Sequence, residues 1–192
     1  MKPYVIAMTG ASGSVYGVRL LQVLSEMSIP VELVISDTAK IVMREELGSE
    51  ALFAQGDTLH LHDFHDFTAS IASGSYPVEG MVIIPCSMGT LGAITSGLSQ
   101  NLIHRAADCA IKEGRKLILV PRETPLSAIH LENMLKLARL GVKIVPPMPA
   151  FYAGQKSIQD LVDFVVGKVL DQMGISHAVY PRWVGTFSKG RE

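Results

Sequence analysis

The chain has few residues of the kinds that would point to a special environment. Its two cysteines, Cys86 and Cys109, are too few for a disulfide framework and favour free thiols in a reducing compartment. Positive and negative charges nearly cancel, with 17 Lys and Arg against 18 Asp and Glu, so nothing points to nucleic acid or an anionic membrane. No apolar run approaches the roughly 18 residues of a membrane-spanning helix, and no leader pattern opens the sequence. These absences predict a cytoplasmic protein that binds neither nucleic acid nor membrane.

Aliphatic residues, by contrast, are abundant. Hydrophobic residues make up 48% of the chain, while aromatic residues make up only 6%. A length of 192 residues suits one compact domain with a sizeable core, so we expect residues 1–192 to form a single domain. We attribute the aliphatic surplus to a buried parallel sheet and to apolar surface for self-association.

Apolar runs of strand length alternate with helical patterns along the chain. Such alternation predicts a doubly wound, mostly parallel α/β sheet between two helix layers, a Rossmann-like or flavodoxin-like three-layer sandwich. In such sheets the ligand lies beyond the carboxyl ends of the strands, so the turns after the strands are expected to carry the chemistry. The predicted strands are 4–9, 31–35, 81–85, 117–121 and 142–145, and the predicted helices are 15–27, 38–47, 91–96, 102–113, 128–140 and 158–173.

The first predicted strand runs into the turn Gly10-Ala11-Ser12-Gly13 and then into a helix. Glycine permits backbone conformations closed to other residues, and a helix start offers unpaired N–H groups at the positive end of its dipole. The turn therefore predicts a phosphate cradle. Plain helix capping explains the same residues without a ligand.

Three later turns are also polar or rigid. Ser36 and the stretch Ser87 to Thr90 carry hydroxyls that suit a phosphate, a ribityl chain or a flavin edge, or that simply cap helices. Arg122 and Glu123 lie between prolines, where arginine suits bidentate phosphate recognition and the carboxylate can orient it or transfer protons. The last turn, 146–152, is a proline-rich arm that ends in aromatic residues.

Other charged residues have an ordinary interpretation beside a functional one. Arg105 and Lys112 lie two turns apart on one helix face, where they could form an anion pocket or remain solvated. Glu46 lies near a helix end with an unfavourable dipole, so it is either merely exposed or an acid–base group near the site. Lys168 is solvated by default.

Two sequence features resemble a metal site and a catalytic thiol, but a structural interpretation is favoured for both. Alternation along a strand places His60 and His62 on one face and His65 on the other, with no four-ligand set, so a polar edge segment is favoured over a metal site. Cys86 lacks a local base and is interpreted as a small packing residue.

Nine segments of the chain match one known family in order: 8–13 with 16–17, 72–75, 85–91, 105–108, 112–113, 120–126, 130–135, 146–152 and 181–183. On these motifs the sequence resembles the flavin prenyltransferases of the UbiX type over nearly its whole length. The resemblance implies a metal-independent enzyme that joins a dimethylallyl group from dimethylallyl phosphate to N5 and C6 of reduced FMN. The product, prenylated FMN, would serve decarboxylases of the UbiD type.

The resemblance also implies roles for individual residues. Some relatives carry arginine in place of Lys168, so phosphate binding is expected to be looser here. A homododecamer is implied, with the C-terminal helix and tail, about 157–192, packed on a neighbouring subunit. The implied FMN-binding residues are Gly10, Ala11, Ser12, Ser36, Ser87, Met88, Gly89, Thr90 and Arg122; those for the prenyl phosphate are Tyr152, Lys168 and Arg105; the catalytic ones are Glu123, Lys112, Glu46 and Trp183, with no metal.

Three alternatives stay open. FMN-dependent cysteine decarboxylases share the fold, but they typically carry an asparagine in each of two signatures, at the places of 85–90 and 147–150, and this chain has none there. A flavin carrier without chemistry of its own would not need a second phosphate pocket. Direct decarboxylation of an aromatic acid would have only the flavin as an electron sink.

Overall fold

The computed structural model describes residues 1–48, 58–152, 154–183 and 185. In this part of the chain six parallel strands form one sheet between two layers of helices. The strand order β3-β2-β1-β4-β5-β6 is that of the doubly wound dinucleotide-binding folds, which confirms the predicted fold class. The strands are β1 (Tyr4–Met8), β2 (Val31–Ile35), β3 (Leu59–His62), β4 (Gly80–Cys86), β5 (Lys116–Pro121) and β6 (Lys143–Ile144), and the helices are α1 (Ser14–Glu26), α2 (Asp37–Leu47), α3 (Met88–Thr95), α4 (Leu102–Lys112), α5 (Ala128–Arg139) and α6 (Ile158–Met173), with a 3₁₀ turn at Ser70–Ala72.

Both faces of the sheet are covered by helices. Every residue of β1, β2 and β4 is buried, which is why these strands appear in the sequence as apolar runs, interrupted only by Glu32 in β2. Ile6 and Met8 face the core shared with α1, α2 and α6, whereas Val5 and Ala7 face the core shared with α3, α4 and α5. The buried sheet therefore accounts for part of the aliphatic surplus, as predicted.

The order in which strands are added to the sheet reverses at β1, which pairs with β2 on one side and with β4 on the other. Thr9 joins the turns that follow β1 and β4, because its Oγ1 accepts a hydrogen bond from Ser87 N at 2.8 Å and donates one to Pro85 O at 3.0 Å. Ligand crevices of doubly wound sheets form at this kind of switch point.

Two strands differ from the sequence expectation. The histidines around position 60 indicate only a polar edge segment, but residues Leu59–His62 pair with β2 and form the strand β3. β6 spans two residues instead of the expected 142–145. No helix in the described ranges is long and apolar enough to cross a membrane.

Part of the apolar surface remains exposed in the single chain. On and just after α5, the side chains of Ile129, Leu131, Leu135 and Leu140 are each more than half exposed. This agrees with the expected apolar surface, while self-association itself stays a prediction. Helix α6 lies in the core of its own chain, so the packing of 157–192 on a neighbouring subunit also stays a prediction.

Candidate active site at the carboxyl edge of the sheet

A cleft of about 600 Å³ opens at the carboxyl edge of the sheet, a size typical of small-molecule and cofactor sites. The turn after β1, the end of α2, the turn after β5 and the proline-rich arm after β6 form its walls. The turns after β2 and β4 flank the β1 turn through the backbone hydrogen bond from Ser36 to Met8 and the Ser87–Thr9 bond. The cleft is lined by Ser12, Gly13, Val15, Tyr16, Glu46, Leu47, Pro121, Arg122, Glu123, Thr124, Leu126, Met134, Pro146, Pro147, Met148 and Ile158.

The glycine turn already holds an anionic group. Gly13 has a φ of 104°, and the N–H groups of Gly13 and Ser14 donate to the Glu46 carboxylate at 3.0 and 2.8 Å. Burial raises the pKa of Glu46, but hydrogen bonds from Ser12 and from these backbone groups outweigh it and lower the pKa. The turn thus binds an anion, as its geometry predicts, but the anion is the chain's own carboxylate.

This placement agrees with the interpretation that Glu46 lies near the site, but it corrects the expected electrostatics. Although Glu46 belongs to the last turn of α2, its carboxylate lies at the N-terminus of α1, where the helix dipole favours negative charge. The sequence interpretation considered only the helix that carries the residue.

Two glycines near the cleft differ in what surrounds them. A Cβ on Gly10 would lie 2.6 Å from the Cβ of Thr38, so close packing against α2 already requires glycine there. A Cβ on Gly89 would meet nothing nearer than Ser87 Oγ at 4.0 Å. The backbone at the start of α3 is therefore open to a ligand.

The predicted hydroxyl groups cap helices at the same edge. Ser36 Oγ accepts from Ala39 N at 3.1 Å at the start of α2, and Ser87 Oγ accepts from Thr90 N at 3.2 Å at the start of α3. Ser87 also donates to Thr90 Oγ1 at 3.0 Å. These hydroxyls and the open N-terminus of α3 lie at one edge and suit a phosphate or a ribityl chain, whereas Glu46 occupies the Gly13 and Ser14 N–H groups at the start of α1. This donor set fits FMN, although individual contacts of Ala11, Ser12 and Met88 with it stay predictions.

Arg122 and Glu123 line the cleft without pairing with each other. Glu123 Oε1 accepts a hydrogen bond from Thr124 N at 2.9 Å. The Arg122 guanidinium is exposed, and in the described part of the chain no carboxylate oxygen lies within 4.0 Å of it, the limit for an ion pair. The guanidinium is therefore available for an external anion, as expected of a phosphate-binding arginine.

Arg105 and Lys112 lie away from this cleft. Both reach the segment that precedes β4: Arg105 Nε donates to Ala72 O at 2.9 Å, and Lys112 pairs with Glu113 beside Gly74. They share a helix face, as their spacing predicted. However, α4 returns the chain to the amino end of β5, so Lys112 lies near the edge of the sheet opposite the cleft.

A third group of predicted residues surrounds α6. The rings of Tyr152 and Trp183 lie 5.3 Å apart, and Tyr152 also lies 6.1 Å from Phe164. Lys168 lines a second cleft of about 650 Å³, which shares Pro146 and Met148 with the first. The structure thus brings Tyr152 and Trp183 together, whereas Lys168 lies on the far side of the proline-rich arm.

The sequence analysis missed Asp171, which attaches the C-terminal segment to α6. Its carboxylate accepts hydrogen bonds from Arg182 Nη2 at 2.7 Å, His177 Nε2 at 3.1 Å and Tyr180 OH at 3.1 Å. The Arg182 guanidinium is the main reason why the pKa of Asp171 falls to about 2. Asp171 thereby positions Trp183, and the only signal for it in the sequence was an acidic residue in a helix followed by the motif that contains Arg182.

The structure supports the packing role of Cys86. Its thiol is fully buried in the core, and burial raises its pKa to about 12. A thiol in this state is not a nucleophile near neutral pH.

The comparisons with known proteins agree with this fold and site. The Flavoprotein family model matches residues 1–170, which places the chain in the class of α/β flavoproteins. A flavin prenyltransferase UbiX from Halalkalibacterium halodurans is 52% identical in an alignment 190 positions long, which covers 94% of this chain and 92% of that protein. The chain therefore belongs to the UbiX family of flavin prenyltransferases.

Two solved structures resemble the fold closely. A dodecameric FMN-dependent UbiX-like decarboxylase from Escherichia coli O157:H7 has a TM-score of 0.91 and 49% identity, and covers 95% of this chain and 100% of its own. AnUbiX in complex with FMN and dimethylallyl pyrophosphate has a TM-score of 0.90 and 42% identity, and covers 96% of this chain and 98% of its own.

Proposed function

We propose that this protein transfers a dimethylallyl group from dimethylallyl phosphate to N5 and C6 of reduced FMN, without a metal ion. The observation that carries the proposal is the cleft at the carboxyl edge, which Arg122 and Glu123 line together with Ser12 and Gly13 of the glycine turn. Among the described residues Arg122 has no ion-pair partner, so it is available to a phosphate. The complex of AnUbiX with FMN and dimethylallyl pyrophosphate supports it.

FMN would lie at the switch point between β1 and β4, held by the turn 10–12, Ser36, the stretch 87–90 and Arg122. The hydroxyls and helix N-termini at this edge supply hydrogen bonds for the phosphate and the ribityl chain. When bound, reduced FMN supplies the electron-rich ring that is prenylated. Glu46 holds the backbone of the glycine turn in place, and a direct part of Glu46 in proton transfer stays a prediction.

The leaving phosphate needs positive charge around it, because negative charge accumulates there in the transition state. Arg122 provides that charge from within the cleft. Tyr152 and Trp183 are not among the described residues that line the cleft; packed beside α6, they would offer aromatic faces that stabilise a cationic prenyl group by cation–π attraction. For the second bond, the prenyl double bond takes up a proton to make its outer carbon electrophilic, and Glu123, or the released phosphate, accepts the proton that C6 loses as the bond forms.

The positions of Arg105, Lys112 and Lys168 lead us to infer that other copies of the chain complete the site. None of the three lines the cleft of its own chain in the described residues. The exposed side chains of Met148 and Ile158 at the cleft rim, 69% and 79% exposed, offer apolar surface for such contacts. The dodecameric relative from Escherichia coli O157:H7 supports a homododecamer here as well.

The prenylated FMN would then pass to a UbiD-type decarboxylase. The free, buried cysteines are compatible with the reducing cytoplasm in which we expect this transfer to take place.

The direct test is anaerobic incubation of the assembled protein with reduced FMN and dimethylallyl phosphate, followed by mass spectrometry of the released flavin. A mass gain of one prenyl unit is expected. Recovery of unmodified FMN from fully assembled, FMN-loaded protein would contradict the proposal and favour a carrier. Oxidative decarboxylation of a cysteine-terminated peptide would favour the cysteine decarboxylase alternative.

Sharing of the site between chains has a test of its own. Lys112→Ala and Arg122→Ala are each expected to be inactive, while their co-assembled mixture regains activity in about a quarter of the sites if mixing is random. An inactive mixture of correctly assembled oligomers would contradict sharing. Mixing Arg122→Ala with Glu123→Gln is the control, because both residues belong to one chain's cleft and no site regains both.

A further inference from the structure

Three donor atoms converge on the outer strands of the sheet, outside the proposed active site. Glu32 Oε2 lies 3.0 Å from His60 Nδ1 and 2.6 Å from His62 Nε2. All three atoms lie within 4.8 Å of one another. The other carboxylate oxygen, Glu32 Oε1, accepts a hydrogen bond from Tyr76 OH at 2.6 Å.

The strand register produces this cluster. His60 lies directly opposite Glu32 in the parallel pairing of β3 with β2. Because residues i and i+2 of a strand share a face, His62 points to the same side. The side chains of Glu32 and His62 are 9% and 5% exposed, while that of His60 is 69% exposed. The cluster is thus closed on the inside and open to solvent at His60.

We propose that Glu32, His60 and His62 bind a divalent transition-metal ion, best matched by Zn²⁺, with water in the fourth position. Imidazole nitrogens and a carboxylate oxygen are ligands that Zn²⁺ takes in a tetrahedral arrangement at about 2.0–2.2 Å, which sets neighbouring ligands roughly 3.3 Å apart. The observed distance to His60 needs to widen by about 0.3 Å, and the distance to His62 by about 0.7 Å. The exposed His60 ring is free to move, whereas the change at the buried His62 requires a small shift of the Glu32 carboxylate.

The surroundings of the carboxylate suit metal ligation. The Glu32 side chain is buried, and both of its oxygens have hydrogen-bonding partners: the two histidines at Oε2 and Tyr76 at Oε1. The Tyr76 hydroxyl fixes the oxygen that does not face the histidines. Such outer partners orient metal-binding carboxylates.

This site is separate from the proposed chemistry. Ser36, which caps α2 at the cleft edge, follows Glu32 by four residues along an extended strand, or about 13 Å. The bound ion would tie the edge strand β3 to β2 and is not needed for prenyl transfer. The inference therefore does not rest on the proposed function.

The test is titration of the untagged, full-length protein with Zn²⁺ in competition with a chromophoric chelator. One Zn²⁺ per chain is expected to bind. Tyr76→Phe should weaken binding about 10–100-fold, and His60→Ala, which removes a ligand, should weaken it more than about 100-fold. His65→Ala is the matched control, because His65 is equally exposed, at 68%, but pairs with Asp37 instead.

A second readout reports the link between the strands. Zn²⁺ is expected to raise the thermal midpoint of the wild-type protein and of His65→Ala, but not that of His60→Ala. The proposal fails if the wild-type protein binds no Zn²⁺ even at the Zn²⁺ concentrations that saturate the competing chelator. It also fails if His60→Ala and His65→Ala weaken binding equally, which would mean that scattered surface histidines bind the ion.

Discussion

Replacement of Asp171 by asparagine is expected to release the segment that carries Trp183 from α6. The Asp171 carboxylate accepts hydrogen bonds from His177, Tyr180 and Arg182. These three residues are spread along the segment that joins the end of α6 to Trp183. Asparagine keeps the size of the side chain but removes the charge that attracts the Arg182 guanidinium. The packing of Trp183 against Tyr152 should loosen as a result.

The magnitude follows from the charge. The pKa of Asp171 is about 2 against an ordinary 3.8, and one pKa unit corresponds to about 1.4 kcal/mol, so the interaction contributes at most ~2.5 kcal/mol. Because the Arg182 side chain is 51% exposed, solvent screens part of this, and about 1 kcal/mol is a better expectation. A loss of that size raises the population of the detached segment about fivefold.

Trp183 makes this detachment measurable, because the chain has only 1 tryptophan and its fluorescence reports on this segment alone. In Asp171→Asn its fluorescence should become more accessible to acrylamide, and KM for dimethylallyl phosphate should rise more than kcat falls. Asp163→Asn is the matched control: Asp163 lies on the same helix, is 18% exposed against 19% for Asp171, and pairs with Arg19 at 2.7 Å instead of with the C-terminal segment. Wild-type quenching in Asp171→Asn, or equal changes in both variants, would refute the reasoning.

The attachment of the C-terminal segment to α6 should weaken at acidic pH. Because the pKa of Asp171 is lowered on folding, its contribution is complete above the ordinary 3.8 and is lost as the pH falls from there towards about 2. Trp183 quenching should therefore be constant near neutral pH. It should increase only in that acidic range.

Three further substitutions test the cleft. Glu46→Gln should destabilise the start of α1 by about 0.3–1 kcal/mol, seen as a lower thermal midpoint, while the exposed neighbour Glu45→Gln should leave the midpoint unchanged. Gly10→Ala places a Cβ 2.6 Å from the Cβ of Thr38, so we expect the free energy of unfolding, measured by heat or denaturant, to fall by about 1–3 kcal/mol. FMN retention should weaken as well. Unchanged stability would mean that α2 shifts freely to make room. Arg122→Lys keeps the charge but loses the bidentate fork, so KM for dimethylallyl phosphate should rise about tenfold at unchanged thermal stability, and an unchanged KM would remove Arg122 from phosphate binding.

The helices and inner strands were predictable because their signals are local. For α6 the predicted and observed bounds agree, since Ser157 and Asp160 form a capping box at its start and Gly174 ends it in a left-handed conformation. The edge strand β3 is missing from the predicted strands because it is only four residues long and half of them are histidines; its pairing with β2 makes it a strand.

The candidate site was predictable in part. Parallel connections place the turns after β1 and β5 at one edge, so Ser12, Arg122 and Glu123 were expected to meet, and they line one cleft. The partners of Glu46 and Asp171 were not expected, because each bond joins elements that approach only after the helices pack.

The sequence alone determined the α/β class, the polar turns at the carboxyl edge and the family to which the motifs belong, because strand–helix alternation and glycine, proline and hydroxyl positions are written locally along the chain. Tertiary structure decided which charged groups meet. It placed the Glu46 carboxylate on the N-terminus of α1, set Lys112 near the opposite edge of the sheet, and brought Glu32 against two histidines of the neighbouring strand. These outcomes depend on strand register, helix direction and side-chain reach across elements, which no local pattern encodes.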